Sequence, residues 1–239
     1  MATQLALNVS LNDHNTFSNF YPGINKQAYT FFQHFSSQPN ESFAYLWGPE
    51  KSGKSHILQA CCHDTHHQQR SAFYLSAKDT TAVQPEILEG LEHFNLVCLD
   101  DIDHLIGQEH WEESLFCFYN NIRDQGHQLI ISANAPAPQL ACKLADLTSR
   151  LTWGPTFQMK LLADEEKMQA LILRAHNRGL TLPIETAQYI LNHSARDLGS
   201  LFQTLDKLDT ASIMAQRKLT IPLAKQTLSM SPDHAAKTG

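Results

Sequence analysis

The chain has 239 residues, enough for one large domain or a medium domain with a small one. A hydrophobic fraction of 42% supplies a core, and a net charge of −6 excludes a broad nucleic-acid-binding surface, which would need clustered Lys and Arg. Five cysteines without a C-x-x-C pair read as free thiols of a reducing compartment. With no leader-type N-terminus and no run of about 18 apolar residues, the expectation is a soluble, cytoplasmic chain.

Residues 1–15 are expected to form a flexible arm, polar apart from Leu5, Leu7, Val9 and Leu11. Ala28, Phe31, Phe32 and Phe35 recur at helical spacing over residues 26–35. Turn residues then lead into Phe43-Ala44-Tyr45-Leu46-Trp47, an apolar run suited to a buried strand. Next comes Gly48-Pro49-Glu50-Lys51-Ser52-Gly53-Lys54-Ser55, which reads G-x-x-x-x-G-K-S, followed by His56-Ile57-Leu58-Gln59-Ala60, able to open a helix. Strand, loop and helix are the context this phosphate-cradling motif requires. Its glycines let successive N–H groups turn inward onto phosphate oxygens, and the helix N-terminus adds partial positive charge. Lys54 is expected to reach the outer phosphates and the Ser55 hydroxyl to ligate Mg²⁺.

A strand is expected at Ala72-Phe73-Tyr74-Leu75, then a helical segment, then a strand at residues 96–99. Trp111, Leu115, Phe118 and Ile122 share one face of an amphipathic helix. Leu129-Ile130-Ile131 is another buried strand, and residues 157–161 a last one. Short apolar strands alternating with helices predict an α/β fold with a parallel sheet covered by helices, over residues 16–162. From Asp164 the pattern is helical only, with stripes at Met168, Leu171, Ile172, Ala175 and at Leu198, Leu201, Phe202, Leu205, Leu208. A small all-helical domain over residues 163–229 is therefore predicted, followed by a polar, disordered tail at 230–239.

Several residues outside the loop invite chemistry. Asp100 and Asp101 stand at the carboxyl end of a buried strand, where a metal-organising group belongs beside a phosphate loop. Asp100 is expected to hold Mg²⁺ through water and Asp101 to orient the attacking water; a strand-terminal turn is the plainer alternative. Asn134 ends the next strand and is expected to touch the γ-phosphate or that water, although Asn ahead of Pro136 also suits a turn. Arg150 can be presented to a neighbouring subunit's nucleotide, and Arg196 can fold from the helical domain onto the phosphates; a surface arginine and a helix-flanking salt bridge are the bland readings. Gln4-Leu5-Ala6-Leu7 can plug a partner's hydrophobic pocket as an extended peptide. Cys61, Cys62, His63, His66 and His67 crowd one helix end, unlike the two separated pairs of a closed zinc site, and are expected to be structural.

In order and spacing, these residues resemble the AAA+ ATPases: the loop as Walker A, Asp100-Asp101 as Walker B, Asn134 as sensor 1, Arg150 as the arginine finger, Arg196 as sensor 2. Within that superfamily, residues 16–23 are similar to the segment of the bacterial initiator DnaA that borders its base pocket, which implies Phe20 and Tyr21 as nucleotide contacts. Residues 146–151 resemble its finger region, and Arg178-Gly179-Leu180-Thr181-Leu182-Pro183 its helical lid. The resemblance covers about residues 16–229. The chain ends after the lid, where DnaA continues into a DNA-binding helix-turn-helix, and Gln4, Leu5 and Leu7 are similar to the peptide that docks on the bacterial β sliding clamp. This combination looks like the DnaA-related regulatory inactivators of DnaA. It implies bound ADP or ATP with Mg²⁺, other nucleoside diphosphates left open, and the DNA polymerase III β clamp and DnaA as partners. It also implies little direct DNA binding, self-association as a homodimer or head-to-tail oligomer, and weak intrinsic hydrolysis, because Asp101 stands where most relatives carry Glu. A self-sufficient AAA+ ATPase such as a helicase loader, or a small-molecule kinase on a P-loop fold, are the rival readings.

Overall fold

The computed structural model describes residues 11–37, 41–80, 84–215 and 218–229. Gln4, Leu5 and Leu7, and the tail from Met230, lie outside the described residues. The chain divides into two compact units, one ending at Lys160 and the other beginning at Leu161.

The first unit is built on five parallel strands: β1 (Phe43–Trp47), β2 (Ala72–Ser76), β3 (Leu96–Asp100), β4 (Gln128–Ala133) and β5 (Thr156–Gln158), in the order β2-β3-β4-β1-β5. Alternation along the strands divides the core. Ala44 and Leu46, Leu96 and Cys98, and Ile130 point to one face, where α1 (Lys26–Phe35) and α2 (Lys54–His67) bury Phe32, Phe35, Ile57, Leu58 and Cys61 against them. Phe43 and Tyr45, Val97 and Leu99, and Leu129 and Ile131 point to the other, against Trp111, Leu115, Phe118 and Ile122 of α3 (Glu109–Asp124) and Leu147 and Leu151 of α4 (Ala145–Leu151). With both faces covered, the central strands are continuously apolar, which is why the sequence displays them as unbroken runs.

Register aligns the strand ends on which the site is built. Trp47 pairs with Ala133 and Leu99 with Ile131, so β1, β3 and β4 end level with one another. Residues 11–15 are held against α2: the Asn12 N–H and the Asn15 amide both donate to Gln59 Oε1, at 3.0 and 3.1 Å.

Two expectations need correction. The described residues between β2 and β3 form not a regular helix but short 3-10 turns at Ala77–Thr80, Pro85–Leu88 and Leu91–His93. Pro85 and Gly90, the latter at φ +86°, interrupt any longer hydrogen-bond ladder there. β5 stops at Gln158, where its partner β1 ends: Trp47 pairs with Gln158, and the Met159 N–H donating to Trp47 O at the mouth of the phosphate loop is the last rung. The cysteines at the end of α2 are completely buried, Cys61 Sγ facing Phe32 O, and no metal-holding cluster exists among the described residues.

The second unit is all-helical: α5 (Asp164–Asn177), α6 (Ile184–His193), α7 (Leu198–Ala215) and α8 (Ile221–Ser229). Leu171, Ala175, Ile190, Leu191, Leu201, Leu205, Leu208, Leu223 and Ala224 form its own core. Gly179, at φ +74°, and Pro183 punctuate the link between α5 and α6. α7 runs to Ala215, beyond the stripe that ends at Leu208, and α8 carries Leu223, Ala224 and Leu228 inward.

Candidate nucleotide site at the strand ends

The phosphate loop leaves β1 and enters α2 through Gly53, which is left-handed at φ +98° and serves as the residue before the helix. Lys51 is also left-handed, at φ +61°. Such a succession turns neighbouring N–H groups into one concavity, the nest that binds anions. Close packing explains the first glycine: a Cβ on Gly48 would sit 2.3 Å from Met159 O. Lys54 is 4% exposed and is turned back onto the loop, donating to Gly48 O at 2.9 Å, Pro49 O at 3.3 Å and Asn134 Oδ1 at 2.9 Å. Ser52 Oγ is buried without a hydrogen-bond partner. An ammonium hydrogen-bonded to neutral oxygens, with only a long contact to a carboxylate, and a buried, unpartnered hydroxyl are what a phosphate-binding loop offers an anion. The residues therefore fit a nucleotide polyphosphate.

Below the loop the carboxylates are sorted by environment. Asp100, 1% exposed, accepts hydrogen bonds from Tyr74 OH at 2.7 Å and from Ser132 Oγ. Burial, reinforced by the charge of Asp101, pushes its carboxyl above the ordinary value, while bonds from Ser132, Ser55 and Tyr74 oppose the rise. Ser55, on α2, therefore faces Asp100, and the pair fits Mg²⁺ held between the hydroxyl and a water on the carboxylate. Asp101 is held left-handed at φ +54°, an uncommon conformation for a residue with a Cβ, and its N–H donates to Ser132 Oγ at 2.9 Å. Its side chain lies between two cations: Lys78 Nζ is 2.8 Å from Oδ2 and Lys54 Nζ 3.6 Å from Oδ1. Asn134 is fixed by Asp103, which accepts from its N–H at 2.6 Å and its amide at 2.7 Å. The structure thus brings Lys54, Asp101 and Asn134 together.

Phe20 is buried under the loop, stacked on Tyr29 at 5.7 Å and edge-on to His56 at 5.1 Å. A Cβ at Gly53 would lie 3.0 Å from its ring. Tyr21 is half-buried beside it. Arg150 lies near the end of α4, half-buried, with its guanidinium carbon 4.2 Å from the centroid of exposed Trp153. In the helical unit, exposed Arg196 pairs with Asp164 at 3.1 Å.

The model of the bacterial DnaA ATPase domain matches residues 11–158, more than half of the chain. This chain belongs to the bacterial DnaA ATPase family. The model of the Hda lid domain matches residues 164–228, the whole helical unit from α5 to α8. Among solved structures, domain III of the Thermotoga maritima replication initiation protein DnaA superposes with a TM-score of 0.76 at 20% identity, covering 92% of this chain and 98% of that one. DnaA of Aquifex aeolicus bound to AMPPCP gives a TM-score of 0.70 at 20% identity, with 83% of this chain and 66% of that one covered. The Holliday-junction branch migration motor RuvB of Thermotoga maritima gives 0.59 at 14% identity, covering 86% and 67%. At these identities the superpositions establish the fold, a AAA+ parallel sheet followed by a helical lid.

In this DnaA-family chain four polar residues of the site escaped the sequence reading. Ser132 and Tyr74 reach Asp100 across strand register, Asp103 anchors Asn134, and Lys78 reaches Asp101 from the turn after β2. Only Ser132 left a local trace, as a hydroxyl inside an otherwise apolar strand. No helix among the described residues is long and apolar enough to cross a membrane.

Proposed function

We propose that this chain is a nucleotide-bound adaptor that restrains DNA replication initiation by stimulating hydrolysis of ATP held by DnaA. The single observation that carries the reading is Arg150. It stands near the end of α4 on an exposed indole, among the described residues it has no carboxylate partner, and it belongs to a chain whose lid matches the Hda lid model. A guanidinium that is mounted but unpaired is available to a neighbour's phosphates, where an arginine finger is worth about 10³–10⁵ in rate. The chain's own nucleotide, ADP or ATP with Mg²⁺ on Ser55 and Asp100, would hold the shape of the site. An adenine nucleotide is favoured because a family member of like fold binds AMPPCP. Weak turnover of that nucleotide is expected, since Lys78 occupies the carboxylate that would otherwise orient water. Gln4, Leu5 and Leu7 would tether the chain to the β sliding clamp, and through it to the nucleoid. Two weak contacts on one scaffold then raise the effective concentration of the encounter with DnaA.

The test is DnaA ATP hydrolysis with this protein and DNA-loaded clamp. Arg150→Ala should abolish the stimulation while leaving nucleotide binding by this chain intact, and Gln4→Ala/Leu5→Ala should lose both capture on immobilised clamp and stimulation. Full stimulation by Arg150→Ala would overturn the reading. The complete phosphate loop favours a second one, an independent ATPase such as a helicase loader. Steady turnover by the isolated chain, abolished by Lys54→Ala, would establish it.

A further inference from the structure

One stripe of α3 runs beneath Arg150. Glu112, Phe116, Tyr119 and Arg123 follow each other at intervals of four, three and four residues, and so share one helix face. At the start of the stripe Glu112 is 1% exposed and makes no ion pair among the described residues. Its carboxylate is spent on backbone: Oε1 accepts from the Gly107 N–H at 2.7 Å, and Oε2 from the Lys143 and Leu144 N–H groups at 2.9 and 2.8 Å. Leu144 immediately precedes α4 and has no side chain able to cap it. Glu112 therefore fixes, from a neighbouring helix, the N–H of the residue that precedes α4, as the glutamate of a capping box does from within, and places negative charge where the dipole favours it. Further along the stripe, Phe116 lies 5.8 Å from the Arg150 guanidinium carbon. Trp153 covers that guanidinium at 4.2 Å, and Arg123 faces the same indole at 5.0 Å.

We propose that Glu112 and Trp153 are positioning residues for Arg150: the carboxylate fixes the start of α4, and the indole fixes the direction in which the guanidinium leaves it. The inference rests on the reading of Arg150 as a group acting on a partner's nucleoside triphosphate. The cation–aromatic contact is weak at an exposed site. That is enough to hold a long side chain in one rotamer and little enough to be exchanged for a phosphate. Arg123 at the same ring makes the exchange easier, since two like charges share one indole until an anion arrives.

Stimulated DnaA hydrolysis is measured as a function of the concentration of this chain, separating plateau rate from half-saturating concentration. Trp153→Leu should lower the plateau about tenfold with the half-saturating concentration unchanged, because misplacement by an ångström costs on that order or more. Trp153→Phe, which keeps an aromatic face, should restore most of it. Glu112→Gln should likewise lower the plateau, and should speed hydrogen exchange at the Lys143 and Leu144 amides at least about tenfold while the amides of β1, β3 and β4 keep their protection. Trp153 is 57% exposed, so its variants test the inference even if Glu112→Gln proves unstable. An undiminished plateau in Trp153→Leu, or equal loss in Trp153→Leu and Trp153→Phe, would overturn the proposal. If Arg150→Ala itself stimulates fully, the functional reading fails first; if Arg150→Ala is inactive while Trp153→Leu is not, only the positioning role fails.

Discussion

Asp100 shows how a single residue carries opposed demands. Metal chemistry needs it charged, yet it is 1% exposed beside a second carboxylate, and burial raises its proton affinity in the folded chain. A carboxyl whose folded pKa is raised penalises the native state once it ionises, and the penalty disappears at pH values where it is protonated both folded and unfolded. Asp100→Asn keeps an acceptor for one of the two hydroxyls that bond Asp100, turns its amide to the other, which can rotate to accept, and carries no charge. It should therefore melt at or above the wild-type temperature at neutral pH, with the difference closing below about pH 4, the ordinary aspartate range. The same variant should lose about tenfold or more in Mg²⁺-dependent nucleotide affinity, read by titration with and without the metal. Loss of stability at neutral pH would show that the native fold needs the charge. Lys54, Asp100, Asp101 and Asn134 were legible in the sequence because each follows an apolar strand that announces where it ends. Lys78, Asp103, Tyr74 and Ser132 were not, because their place in the site follows from strand register and from the path of a turn, and neither has a local signature.

Elements were legible where a period ran long enough, and illegible where a tertiary contact overrode it. β1, β3 and β4 are buried on both faces and read as unbroken apolar runs; α1 and α3 display their stripes. α4 has seven residues and no side-chain cap, and nothing in its own sequence demands a helix. Leu147 and Leu151 bury its inner face, and Glu112 of α3 ties down the backbone just ahead of it. Burial alone would raise the Glu112 pKa, but the N–H groups of Gly107, Leu144 and Lys143, with the Cys142 thiol, outweigh it and hold the carboxyl below its ordinary value. A group depressed in this way stabilises the fold above its unfolded pKa, and the stabilisation is lost as pH falls through the lower folded value. Glu112→Gln leaves buried N–H donors facing an amide nitrogen, which costs about 1–3 kcal/mol per unsatisfied group. Chemical denaturation should find the variant less stable by that order at pH 7, with the gap shrinking as pH drops below about 4. A gap independent of pH would mean that the shape of the side chain, not its charge, orders α4.

At the scale of the molecule, the two units have separate cores, one on each face of the sheet in the first and one among α5 to α8 in the second. The sequence expectation assigns Arg196 to the nucleotide; within its own unit it pairs with Asp164, a contact exposed to solvent on both sides. Such an exposed pair is weak, so it can be given up for a phosphate at little cost. The carboxyl of Asp164 is lowered by Lys167 first and by Arg196 only weakly, which leaves the aspartate a partner when the arginine departs. A ligand stabilises only the parts of a fold it touches, by about 2.7 kcal/mol at a hundred times its dissociation constant. If Arg196 reports nucleotide state, calorimetry with saturating ADP should raise the melting of both units in the wild type. In Arg196→Ala, ADP should still raise the melting of the sheet unit but leave the lid where it melts without ligand. Equal shifts of both units in Arg196→Ala would remove this arginine from the nucleotide site and leave the coupling of lid to sheet to other contacts.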